Sequence, residues 1–146
     1  MESEKKQPEV TLFSVILMGA IMATLGNITI FFIAKILHVS PSVPLALKTD
    51  MLAPLRLSAV IVASAFPAFG AGFMYFLMKK LFSAPLTTFL TVSIGFLVVS
   101  LGAPIQLPIS LGQKIILCLM HVVAALFIIG ALLAYHNYKA RQSPSN

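Results

Sequence analysis

Four polar side chains stand inside long apolar stretches of this chain and are the first candidates for chemistry: Asn27, Ser64, Ser100 and His121. A polar group in hydrocarbon is costly unless it finds a hydrogen-bond partner, so each of the four needs a partner or a purpose. Asn27 offers two donors and an acceptor, a neutral His121 offers one of each, and the serine hydroxyls can take either role. Counted at about 1.5 Å per residue, all four lie about 5–8 Å from the middle of their stretches, toward the same face. Two readings follow from that shared depth. The four form a hydrogen-bonded layer fastening the helices, or they floor a small pocket with His121 as a proton-accepting or ligand-binding group.

Other chemistry finds little support. One imidazole without a carboxylate or a second histidine does not make a metal site, and neither a metal nor a cofactor is expected. No Asp or Glu falls within an apolar stretch, which removes the carboxylate used by proton-coupled small exporters. There is no glycine-rich phosphate loop, no GxSxG and no HExxH, so no catalytic residue is assigned and a non-enzymatic role is expected. Cys118 is the single cysteine. It can form neither a disulfide within the chain nor a CxxC site, and it reads as a small buried hydrophobe. His38 and His136 fall at the ends of stretches, where an interfacial position accounts for them, and Tyr135 and Tyr138 suit an aromatic belt.

The elements that position these residues follow from composition. Of the 146 residues, 59% are hydrophobic and 10% charged, against about 45–50% and about 25% in a soluble globular domain. Four acidic and ten basic side chains cannot coat a soluble protein of this size, so the lipid bilayer is the expected solvent. The net charge of +6 is spread in ones and twos between apolar runs instead of forming a stripe. That pattern argues against nucleic acid and for basic flanks on membrane segments.

A span needs about 20 apolar residues, and four stretches qualify: Thr11–Ile36, Leu57–Met78, Leu86–Ala103 and Ile115–Tyr135. The expected fold is all-α, a four-helix transmembrane bundle. A closed barrel would need alternating strands of about ten residues, and these runs are continuous. Pro85 and Pro104 are expected to limit the third helix, and Pro67 is expected to kink the second, as a packing feature or as the edge of a pocket or hinge. The long connection His38–Pro54, broken by Pro41, Pro44 and Pro54, reads as an ordered cap or as a short interfacial segment around Lys48 and Asp50. The first apolar run is about twice the length of a signal-peptide core, which favours a retained helix. The chain thus divides into an N-terminal segment 1–9, one four-span domain 10–138 and a tail 139–146.

Lysine and arginine set the orientation. Lys5, Lys6, Lys79, Lys80, Lys139 and Arg141 share one side, while Lys35, Lys48, Arg56 and Lys114 lie opposite. Six against four places both termini in the cytoplasm. Gly19, Ala23 and Asn27, and likewise Ser64, Ala68 and Gly72, recur at four-residue spacing as rows suited to close helix contact.

Gly26-Asn27 followed by an apolar stretch to Ala34-Lys35, together with Leu119-Met120-His121-Val122-Val123-Ala124-Ala125, resembles a family of small bacterial four-helix membrane proteins known only as a domain of unknown function. The resemblance spans about Val10 to Tyr138. It implies a bacterial inner-membrane protein and carries no activity with it. The expected function is a non-enzymatic membrane component that packs against itself or a membrane protein partner through small-residue faces. The alternative is a minimal carrier or binding protein for a small apolar or weakly basic molecule, with a pocket near His121.

Overall fold

The computed structural model describes residues 10–44 and 51–142, so Lys48 and Asp50 of the expected interfacial segment lie outside the described residues. Four helices are present among them: α1 (Leu12–Ile36), α2 (Leu57–Leu81), α3 (Pro85–Gln106) and α4 (Leu111–Gln142). Each is long and apolar enough to cross a membrane. Their outward faces carry Phe66, Phe96 and Val99, each more than 70% exposed, an arrangement that water penalises and lipid does not. The fold is an all-α four-helix bundle, and the chain is a multi-pass membrane protein.

Helix starts follow local chemistry. Thr11 caps α1 by accepting from the Ser14 N–H at 3.2 Å, Pro85 opens α3 and the Ser110 hydroxyl accepts from the Gln113 N–H at the start of α4. Each device satisfies or removes an amide that the helix itself cannot pair. Two ends differ from the sequence expectation. The third helix passes Pro104 and stops at Gln106, because a proline in the last turn forfeits only one late hydrogen bond, and the Leu107 N–H closes the end on the Pro104 carbonyl. The fourth runs through the first four tail residues, where Lys139 and Arg141 sit favourably against the negative end of the helix dipole. Pro67 lies in the body of α2, which continues through it.

The end of α1 is a Schellman turn. The His38 N–H bonds the Lys35 carbonyl and the Val39 N–H bonds the Ala34 carbonyl, with His38 in the left-handed region at φ 56. Substitution His38→Val is expected to lower thermal stability in detergent by about 1–2 kcal/mol, since a β-branched residue resists that conformation. His38→Gly should keep the wild-type midpoint, and equal melting of the two variants would show that the turn does not set the helix end.

Beyond this turn the long connection forms a small antiparallel ladder, β1 (Ser42–Pro44) with β2 (Leu52–Pro54), pairing Val43 with Ala53. The sequence reading anticipated no strand there. The Leu55 N–H extends the ladder to the Pro41 carbonyl at 2.8 Å, and Gln113 Nε2 donates to the Ser40 carbonyl at 2.7 Å, tying α4 to this cap.

Packing places α1 between α2 and α4, with α3 closing the other side against the same two helices. The closest approaches use glycine: a Cβ on Gly19 would meet Ala131 at 3.3 Å, and one on Gly26 would meet Val123 and Phe127 at 2.9 Å, while Gly72 abuts Ile16. Positions ascending on α1 meet positions descending on α4, the pattern of an antiparallel pair. The core has two clusters. One holds Ala23, Ala68, Tyr75, Phe89 and Leu132, and the other, under the hairpin, holds Phe31, Val60, Leu117 and Met120.

Candidate functional site

Asn27 and Ser64 lie at the seam between those clusters, one turn from Ala23 and Phe31 on α1 and one turn from Val60 and Ala68 on α2. Both are buried, Asn27 at 5% exposure and Ser64 at 1%. The Ser64 hydroxyl donates to the Val60 carbonyl at 2.6 Å. Its oxygen must therefore accept, and Asn27 Nδ2 donates to it at 2.9 Å. This chain of two bonds pins α1 to α2 at a depth where no other polar partner is offered by the surrounding apolar side chains. Asn27 Oδ1 is buried without a hydrogen-bond partner, and so is Ser93 Oγ on α3.

The structure joins two of the four polar residues singled out in the sequence and sends the other two to their own helices. Ser100 Oγ donates to the Leu97 carbonyl at 2.7 Å. His121 Nδ1 lies 2.8 Å from the Leu117 carbonyl. A carbonyl can only accept, so Nδ1 carries a proton and Nε2 is the atom left for any other partner. A side chain that reaches back three or four residues satisfies itself locally and contributes no tie between helices.

A second polar contact lies at the other end of the bundle. Tyr75 of α2 is 1% exposed, and its hydroxyl is 2.9 Å from His136 Nδ1 of α4. Phe89 and Tyr135 meet the Tyr75 ring edge-on, with centroids at 5.4 and 6.3 Å. His136 is thus an interhelical partner, and Tyr135 is buried in the core at 9% exposure instead of lining an aromatic belt. Sequence reasoning missed Tyr75 altogether. The available signal was a hydroxyl about one turn inside the end of a span, at three residues from Gly72 and so near the face of the small-residue row.

Chemically, the Asn27–Ser64 contact is a fastener whose one idle atom is an acceptor. The Tyr75–His136 contact is a phenol–imidazole hydrogen bond that ties α2 to α4. Among the described residues there is no group of three His, Cys, Asp or Glu side chains placed to hold a metal ion. Cys118 is half-buried on α4.

Comparison with curated proteins and with solved structures yields no match. A family model described as a family of unknown function, DUF6069, matches residues 8–137, and the chain, matched over most of its length, belongs to that family.

Proposed function

We propose that the protein is a non-enzymatic component of the bacterial inner membrane that associates with itself or with a membrane protein partner through small-residue helix faces. The observation that carries this reading is a contrast between two groups of three among its eight glycines. Gly19, Gly26 and Gly72 are used inside the chain, against α4 and Ile16. Gly70 on α2, Gly95 on α3 and Gly130 on α4 have nothing within 4 Å of a Cβ position. A glycine in a helix body costs about 1 kcal/mol relative to alanine. These three gain nothing from their own bundle, and a close approach by a second helix is what an open glycine face admits.

The test is the oligomeric state of the full chain, read by single-molecule photobleaching in nanodiscs. Oligomers are expected for the wild type and monomers for a Gly70→Leu, Gly95→Leu, Gly130→Leu variant that retains the wild-type melting midpoint. Oligomers of unchanged stoichiometry in that variant would refute association through these faces.

The reading also places both termini in the cytoplasm, supported by the basic residues Lys79 and Lys80 in the last turn of α2, on the side of the termini. In a Cys118→Ala background, cysteines at Ser3 and Ser145 are expected to resist an impermeant thiol reagent in intact cells, whereas one at Ser42 reacts. The reverse pattern would invert the orientation, and opposite labelling of the two ends would contradict an even number of spans.

A second reading, a carrier or binding protein for a small apolar or weakly basic molecule, is favoured by one observation. Asn27 Oδ1 is a buried acceptor without a partner, and a weakly basic guest would supply the missing donor.

A further inference from the structure

Among the described residues, the hairpin side of the bundle carries Lys35, Arg56 and Lys114. Lys114 is engaged, its Nζ donating to the Ile105 carbonyl at 2.8 Å, and Lys48 lies outside the described residues. The other two line one open cavity of about 290 Å³ between the end of α1, the hairpin and the start of α2, with Phe31 and Ser40 also in its wall. That volume lies just below the range for drug-sized ligand pockets, about 300–1,000 Å³.

The lining has a definite chemistry. Lys35 Nζ is held over the Phe31 ring, 5.2 Å from its centroid, and Arg56 comes from a different element, the residue that opens α2. Two like charges on one cavity repel each other, and an anion between them converts that repulsion into two attractions. The guanidinium supplies a planar fork that suits paired oxygens, the ammonium a point charge, and Ser40 a hydroxyl. No side chain caps the first turn of α2, whose N–H groups add partial positive charge at the same end. Carboxylates do not compete among the described residues, since the four acidic residues are Glu2, Glu4, Glu9 and Asp50. The cavity also lies where two spanning helices end, the level at which a bilayer places its phosphates.

We propose that this cavity binds a phosphate group, carried either by a phospholipid headgroup or by a soluble phosphate, between Lys35 and Arg56. The tetrahedral oxyanion accepts from the Arg56 guanidinium, the Lys35 ammonium and the Ser40 hydroxyl, and the Phe31 ring forms the apolar floor beneath it.

The experiment uses the full chain in a neutral maltoside detergent and phosphate-free buffer, with thermal midpoint followed against added probe. The probes are dihexanoyl phosphatidylglycerol, the phosphate-free dihexanoyl glycerol, and inorganic phosphate. A saturable rise with the phospholipid and none with the diglyceride is expected. A Lys35→Gln, Arg56→Gln variant should need about tenfold more probe for the same rise, the scale set by losing charge-assisted hydrogen bonds, while Lys79→Gln, Lys80→Gln matches the wild type. Both cavity cations are exposed, so the unliganded midpoint should not move. Should the double variant nonetheless melt early, the single variants and Arg56→Lys, which keeps the charge and loses the fork, carry the comparison. A response to phospholipid alone assigns the headgroup, and an equal response to inorganic phosphate assigns a soluble phosphate. The proposal is overturned if no probe produces a phosphate-dependent rise, if the cavity variants respond as the wild type does, or if a rise emerges only with Asp50→Asn, because the chain would then be neutralising its own cations.

Discussion

Gly19→Leu is expected to destabilise the bundle by about 3 kcal/mol, near the upper end of what overpacking costs in a tight core. A Cβ at this position would already stand 3.3 Å from the Ala131 side chain and 3.6 Å from the Ile128 backbone. Side chains can swing aside, but the backbone of α4 cannot do so without moving the helix. Leucine would therefore force α1 and α4 apart along their whole contact, including the approach at Gly26. Gly70→Leu is the matched control, because nothing lies within 4 Å of that site. The two variants make the same chemical change, add the same helix propensity and differ in what they meet. Reversible unfolding in detergent, at a dilution where the protein is monomeric, should separate them by at least about 2 kcal/mol. Equal stabilities would mean that α1 and α4 do not hold this register.

The spans were legible because continuous apolar runs of about 20 residues leave few alternatives. Height along each helix was readable as well, since residue count converts directly to distance along a helix axis. Rotation about that axis was not, unless a pattern fixed it. Asn27 continues the row Gly19, Ala23, and Ser64 begins the row Ala68, Gly72, so their faces were marked by their neighbours, and those two meet. Ser100 and His121 shared their depth but belonged to no such row, and both bond backward to their own helices. Tyr75 escaped notice and His136 was assigned to the interface for a related reason. A tyrosine or histidine near a span end is equally at home at the interface, and only the tertiary contact shows which face it takes. The hairpin was hidden because three-residue strands ending in proline carry no periodicity to detect, and their pairing depends on how α1 and α2 are held.

Asn27 and Ser64 form the buried polar tie between α1 and α2. A double-mutant cycle on that pair measures how strongly the two side chains are coupled. Ser64→Ala alone should cost about 1–2 kcal/mol, because it removes the acceptor and leaves the whole Asn27 amide buried without a partner. Asn27→Leu should cost less, since it also removes the idle Oδ1 and its desolvation penalty. In the Asn27→Leu background, Ser64→Ala should then be close to neutral. Hydrogen bonds between membrane helices typically measure about 0.6 kcal/mol and reach about 1.7, so a coupling near or above 1 kcal/mol is the predicted result for a pair this buried. A coupling indistinguishable from zero, with both single variants as stable as the wild type, would show that this pair does not fasten α1 to α2.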